Sequence, residues 1–323
     1  MPRPQVDVVV PFRGDAKDLR ELRARLTRLE LRPGDSITVV DNTPRSGALE
    51  VPAQGEIVVI HADEVGAPGF ARNCGAEHGL GEWLVFFDAD TYPSADLLDR
   101  YFDHLPPPRT ALMAGGIKDE QVPADGRPVA RYAYIRRFMS QDDTFRFGEW
   151  GYPKSANVAF RRSAFASVGG FRENIRAAED ADLTYRLRAA GWGIERREEA
   201  IVVHRSRHTV RGFLWQKLCH GAGGAWLDRE YPGAAPARRR LGLLWWGVRH
   251  ACAGLVMATR KRDRDTALWA LLDPLELLAH EFGRSLPNER PLSARIIWRH
   301  LCELRERSGA TRLPGGGPEI GAR

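Results

Sequence analysis

The chain has 323 residues, 43% hydrophobic and 28% charged, a balance that supports a sizeable core and excludes a disordered or fibrous chain. Its net charge of +6, carried largely by arginine, suits anionic partners, but no nucleic-acid recognition motif accompanies it, so nucleic acid is not an expected partner. The length predicts about two domains of roughly 150 residues.

Cys74, Cys219, Cys252 and Cys302 are widely spaced and form no CxxC pair, which argues against a zinc site or a disulfide framework. Reduced thiols in a cytoplasmic protein are the expectation. The N-terminal MPRPQVDVVVPF is too short in its apolar part for a signal peptide. No run of about 18 uninterrupted apolar residues occurs, so no ordinary membrane span is expected.

Residues 6–11 are valine-rich and read as a buried parallel strand. Leu19, Leu22, Leu26 and Leu29 then recur at helical spacing, closed by Pro33-Gly34. Strands follow at 37–40, ending in Asp41-Asn42, and at 57–60. A Gly-rich turn at 66–69 opens a helix over 70–78. Residues 83–87, WLVFF, form an apolar run that reads as a strand buried on both faces. This alternation argues a parallel sheet flanked by helices. No GxGxxG follows the first strand and no GxxxxGK[ST] occurs, which argues against a dinucleotide-binding Rossmann domain and a P-loop.

Downstream, Ser94 is expected to cap a helix with Leu97, Leu98, Tyr101, Phe102 and Leu105 inward. A strand is expected over 111–117. Residues 118–151 are polar, aromatic and without clean periodicity, as a lid or substrate loop would be. A strand at 155–160, short helix at 162–168, helix at 179–190 and strand at 201–203 ending at His204 follow. From Thr209 the chain reads as helical, with apolar stretches at 241–257, at 266–282 (interrupted by Asp273-Pro274) and at 293–307. The Gly/Pro-rich end reads as a disordered tail.

Three groups of residues could carry chemistry. Asp88-Ala89-Asp90 closes the buried run, and ligands in open α/β sheets bind beyond the carboxyl ends of strands. Two carboxylates around one residue suit Mg²⁺ or Mn²⁺ shared with a diphosphate, although a pair of turn aspartates would look the same. Glu179-Asp180-Ala181-Asp182 opens a helix, where acidic residues favour the macrodipole, yet a carboxylate there could also act as a base. His204 precedes Arg205, Arg207 and His208, a cationic setting for a metal ligand or phosphate contacts. Arg72-Asn73, inside the helix after the Gly-rich turn, could face an anion or a base.

Five ordered segments, VVVPFRGD, VVDNT, GFARNCGAEHGLGEWLVFFDADTYP, SANVAFRRSAFASVGGF and AAEDADLTYRLRAAGWG, together resemble the family 2 glycosyltransferases of the GT-A fold. The resemblance covers roughly residues 6–224. It implies an α/β fold, a Rossmann-like mostly parallel sheet flanked by helices, with residues 1–208 as catalytic domain, 209–310 as a C-terminal helical region and 311–323 as the tail. It implies a nucleoside-diphosphate-sugar donor, uridine diphosphate by family habit, a divalent Mn or Mg cofactor, and a carbohydrate, lipid-linked or small-molecule acceptor. Pro11, Phe12, Asp41, Arg72, Asp88, Ala89 and Asp90 would bind the donor. Asp88, Asp90 and His204 would serve the metal. Asp180, with Glu179 beside it, would be the base of an inverting displacement, and Asn157, Arg161 and Trp150 would lie on the acceptor side. Gln216-Lys217-Leu218-Cys219-His220-Gly221 departs from the QxxRW motif of the processive synthases, so addition of a single sugar is expected.

The competing classes are a sugar-1-phosphate nucleotidyltransferase, whose N-terminal glycines PFRGDAKDLR lacks, and an inactive nucleotide-sugar-binding scaffold, against which the full set of acidic residues argues. The stretch 241–257 carries Trp245-Trp246 and is flanked by Arg238-Arg239-Arg240 and Arg260-Lys261-Arg262. A helical subdomain packed on the sheet and an interfacial helix at the inner face of the cytoplasmic membrane both fit it.

Overall fold

The computed structural model describes residues 3–44 and 57–290. The helix expected at 293–307, the tail at 311–323 and Cys302 lie outside the described residues. Met1–Arg290 forms one compact unit, and no disulfide joins Cys74, Cys219 and Cys252.

An eight-stranded sheet forms the centre. Its strands are β1 (Val6–Phe12), β2 (Ser36–Asp41), β3 (Ile57–His61), β4 (Trp83–Phe87), β5 (Thr91–Pro93), β6 (Thr110–Asp119), β7 (Asn157–Arg161) and β8 (Gly193–His204). The spatial order is β3-β2-β1-β4-β7-β6-β8-β5. Strands β1 to β4 are parallel, β7 runs antiparallel between β4 and β6, β6 and β8 are parallel, and β5 is antiparallel to β8. This is a mixed α/β, mostly parallel sheet flanked by helices, as the sequence leads one to expect.

The valine-rich and aromatic strands form because both faces of the sheet are covered, so alternation is not needed. Val8, Val10, Val85 and Phe87 face Leu19, Leu22 and Leu26 of α1 (Ala16–Leu26) and Leu97, Leu98 and Tyr101 of α3 (Leu97–Tyr101) in one buried cluster. Helix α1 starts at a capping box in which Asp15 accepts from Lys17 and Asp18 amides. Elsewhere in the core, Phe86 meets Phe160, Phe165 and Phe171 at 5.4–5.8 Å, mostly edge to face. Helix α2 (Pro68–Ala76) comes so close to β1 and β2 that a Cβ on Gly75 would collide with Val9 and Val40.

The structure departs from the sequence reading in four places. Ser94 does not cap α3: its carbonyl accepts from Leu97 N, and Asp96 stands at the N-cap position. The aperiodic stretch 118–151 contains α4 (Pro128–Arg136) and α5 (Asp142–Phe145), with Val129 and Tyr132 of α4 buried against Phe213, Leu268 and Leu272. Strand β8 begins at Gly193, eight residues before the strand read from the sequence, because its charged GIERREEA half is held by pairing with β6 and not by an apolar run. Strand β5, only three residues long, is likewise legible only through its partner.

Helices α6 (Arg162–Ser167) and α7 (Glu179–Ala189) precede three long C-terminal helices, α8 (Val210–Glu230), α9 (Arg240–Lys261) and α10 (Arg264–Gly283). Helix α10 runs through Asp273-Pro274 without a break. Its neighbours hold it: Tyr132 donates to Asp273 and Glu276, and Lys217 Nζ lies 2.7 Å from Glu276. Helices α8 and α10 touch at glycines, where a Cβ on Gly221 would collide with the His280 carbonyl and one on Gly283 with that of Leu218. Backbone cannot retreat as a side chain can. Gly221→Ala should therefore cost about 1–3 kcal/mol, the usual range for overpacking, read as a lower urea midpoint with an unchanged slope.

Candidate functional site

The C-terminal ends of β1, β2 and β4 and the chain leaving β8 surround a cleft of about 770 Å³. Its wall contains Pro11 and Phe12 from β1, Asn42 after β2, Ala71 from α2, Asp88-Ala89-Asp90 after β4, and Arg205-Ser206-Arg207-His208 after β8. Arg13, Arg25 and Arg290 add further positive charge, set against Asp18 and Glu21.

The Asp88-Ala89-Asp90 turn is held rigidly. Thr91 donates to the Asp88 carbonyl from both its amide (3.1 Å) and its hydroxyl (2.7 Å). Arg25 reaches across from α1 to the Ala89 carbonyl at 2.6 Å and lies over the Tyr92 ring. Because β5 pairs with β8 in a register that sets Thr91 opposite His204, the Asp90 carbonyl accepts from Arg205 N, and Asp90 Oδ2 comes to 3.5 Å from His204 Nε2.

Arg72 joins the two acidic motifs. Buried on α2, it donates from Nη2 to Asp88 Oδ1 and from Nη1 to Glu179 Oε1, both at 2.8 Å. Burial opposes its charge, yet Asp88 and Glu179 together hold its pKa above the ordinary arginine value.

Glu179 and Asp180 open α7 behind an unusual turn. Ala178 adopts a left-handed conformation (φ 75°, ψ 13°) that costs a non-glycine residue about 1–2 kcal/mol. It persists because the neighbouring backbone is clamped: Asn288 bonds both the amide and the carbonyl of Ala177 at 3.2 and 3.0 Å, and Arg176 N donates to the Asn288 carbonyl. The following Arg290 brings its guanidinium into the cleft wall.

The three carboxylates of α7 differ in kind. Glu179 is committed to Arg72. Asp180 accepts from the amides of Ala181 and Ser155, and burial followed by the adjacent charge of Glu179 pushes its pKa up to about 7. That is a value suited to a base near neutral pH. Asp182, fully buried, is taken by Arg186, Arg172 and Tyr231 and holds the helix in place.

Not every expected residue reaches the cleft. Pro11, Phe12, Asp88, Ala89 and Asp90 line it. Asp41 lies under its edge, accepting from Thr43 N at 2.9 Å, with His61 Nδ1 at 3.4 Å; its neighbour Asn42 lines the wall. Arg72 bridges carboxylates and is not free to face a base. Asn157 does not face an acceptor: it is fully buried, accepts from Tyr101 Oη and donates to the Gly116 and Ala200 carbonyls, tying three strands together. Arg161 sits at the opposite end of the sheet, opposite Trp83 in the β4–β7 register, and bonds Glu82 and the Thr110 carbonyl. Trp150 belongs to an aromatic cluster with Tyr185 and Tyr231 that packs against Ala178. Sequence reading passed over Arg13, Arg25, Asn288 and Arg290. Arg13 follows a strand end and could have been found by that rule; Arg25 and Arg290 are marked only by the fold.

The residues around Asp90 fit a divalent cation as a two-ligand set. Asp90 has a half-exposed carboxylate, and burial, which opposes its charge, is outweighed by His204 and Arg207, so its pKa falls below the ordinary value. His204 is buried and its Nδ1 has no hydrogen-bond partner among the described residues. One hard oxygen and one loosely engaged imidazole suit Mn²⁺. Asp88 is already bonded to Arg72, and no group of three or more His, Cys, Asp or Glu with ligand spacing occurs among the described residues, so phosphate oxygens or water would complete the coordination.

Comparison with known proteins agrees with this geometry. The family model described as Glycosyl transferase family 2 matches residues 7–169. A pre-mycofactocin glycosyltransferase from Mycobacterium tuberculosis is 30% identical over 234 residues, 70% of this chain and 48% of that protein, so the chain spans about half the length of this relative. An O-antigen chain rhamnosyltransferase from Salmonella anatum is 27% identical over 190 residues, 55% of this chain and 59% of its own. A solved mannosyltransferase from Pyrobaculum calidifontis, in complex with GDP-mannose and Mn²⁺, shares the fold with a TM-score of 0.51 and 18% identity, covering 94% of this chain and 81% of that one.

The raised pKa of Asp180 has a signature in stability. The folded state favours the protonated form, so this group's contribution is full below the ordinary carboxylate value of 3.8 and is lost as pH rises through about 7. Asp180→Asn keeps the neutral form at every pH. Its stability relative to wild type should climb between about pH 4 and pH 7 and then level off, as measured by urea unfolding across that range.

Proposed function

The chain belongs to glycosyltransferase family 2, and from that premise we propose that it transfers a sugar from a nucleoside-diphosphate sugar to an acceptor hydroxyl in one inverting displacement, with Asp180 as base. The observation that carries this reading is the Arg72 bridge. It fixes Asp88, in the wall of the donor cleft, and Glu179, next to Asp180, on one guanidinium.

The chemistry follows from charge and position. A diphosphate in the cleft meets Arg205 and Arg207, with Arg13, Arg25 and Arg290 around it. These arginines stabilise the negative charge that develops as the bond from the anomeric carbon to the phosphate oxygen breaks. Asp180 takes the proton of the acceptor hydroxyl as its oxygen bonds to the anomeric carbon, and the nucleoside diphosphate leaves from the opposite face. A divalent cation held by Asp90, of the DXD motif Asp88-Ala89-Asp90, and by His204 at the end of β8 would add positive charge at the diphosphate. Glu179 orients Arg72. Asn157 and Arg161 take no part on the acceptor side.

No contact among the described residues singles out uracil, and the Pyrobaculum mannosyltransferase was solved with GDP-mannose. Calorimetric titration with UDP-, GDP- and dTDP-sugars, with and without Mn²⁺, identifies the carrier. Asp90→Ala should lose the Mn²⁺-dependent part of that binding; unchanged affinity would remove Asp90 from the metal site. Asp180→Asn should bind donor as wild type does while transfer falls by at least about 10²-fold, the lower range for losing a general base. Wild-type turnover should rise with pH through an apparent pKa near 7. Turnover of Asp180→Asn at the wild-type rate would refute the assignment.

A further inference from the structure

We propose that helix α9 lies along the surface of an anionic membrane, its outward apolar face in the boundary between headgroups and acyl chains and its flanking arginines on lipid phosphates. This contact does not depend on the glycosyltransferase reading.

One side of α9 is used up within the protein. Leu243, Gly247 and Ala258 are buried, Gly247 lies against Pro274, and Gly254 against Ala270 of α10. The opposite side carries Leu241, Trp245, Val248 and Val256, one or two turns apart, and they are 82%, 66%, 59% and 50% exposed. Such a stripe of large apolar side chains marks an interaction surface.

Charge selects the partner. Helix α9 has no acidic residue. Arg238 and Arg239 stand at one end, Arg260, Lys261 and Arg262 at or just beyond the other, and Arg249 borders the apolar stripe, where its long stem can lie on the lipid with its head among phosphates. A second copy docked on this face would set cation against cation in either orientation, since both ends are basic. Anionic headgroups complement both ends at once.

The helix lies on the bilayer and does not cross it. Its 22 residues, with a mean hydropathy of 1.3 over an 18-residue window, are enough for a span by length and composition, despite Arg249 and His250 in the middle. Its inner side, however, is locked to α10, and α10 is joined to the catalytic unit by Lys217–Glu276 and Arg131–Asp265 ion pairs and by Tyr132 on Asp273. Insertion across the membrane would drag those charges with it or strip them of partners.

Arg240, at the start of α9, bonds the Glu281 carbonyl and Ser285 Oγ, and the chain from there reaches Arg290 in the cleft wall.

Flotation of the full chain with vesicles of phosphatidylcholine, with and without phosphatidylglycerol, tests the proposal. The protein should float only with the anionic lipid, and less as salt rises. Trp245→Glu with Val248→Glu should lower partitioning about tenfold or more, and Arg238→Gln and Arg239→Gln by roughly fivefold each, while nucleotide binding stays as in wild type. Absence of flotation, or flotation of the double glutamate variant at the wild-type level, would overturn the proposal. So would a dimer in light scattering that the same variant dissociates without any vesicle binding, which assigns the face to a second copy.

Discussion

A single buried guanidinium organises this protein. Arg72 takes one carboxylate from the turn after β4 and one from the start of α7, two segments far apart in the chain. Burying an arginine is tolerable only if its charge is met by well-placed acceptors, and removing either partner leaves the other exposed to the full cost of desolvation. The requirement runs both ways: α2 must press against β1 and β2 at Gly75 to deliver Arg72, and the strained Ala178 turn must be clamped by Asn288 to deliver Glu179. Asp180 takes its position from this arrangement, while burial and then the charge of Glu179 raise its pKa against the pull of Arg72.

The cleft shows the same division of labour. Strand ends supply its floor, and the edge pairing of β5 with β8 folds the Asp88-Ala89-Asp90 turn onto His204 and Arg205. Rigid turns carry the acidic groups, while arginines from α1, from the chain after β8 and from Arg290 supply the opposing charge. An anionic donor would thus enter a site whose charges are already oriented, which lowers the reorganisation that transfer demands. The C-terminal helices contribute in two ways, bracing the α7 turn from one side and presenting a basic, apolar face on another.

Much of this was legible in the sequence because its signals are local. The buried runs of β1 and β4, the Leu19–Leu22–Leu26 stripe and the acidic pairs at a strand end and a helix start all report on their immediate surroundings. The features that were missed are relational. Strands β5 and β8 depend on pairing, not composition, and α4 is apolar only where it meets α8 and α10. Asn157 looks like a polar residue at a strand end, and only three-dimensional packing shows its side chain spent on Tyr101, Gly116 and Ala200. Arg161 lies one strand length from the rim because β7 runs backwards, a reversal that its own residues do not signal.

The direct measurement of the central claim is a double-mutant cycle on unfolding free energy with Asp88→Asn, Glu179→Gln and both together. If one guanidinium serves both carboxylates, the second substitution acts on a bridge already altered by the first, and the effects should depart from additivity by more than about 0.5 kcal/mol. Effects that add within that margin would mean that the two motifs are held independently, and would contradict the account.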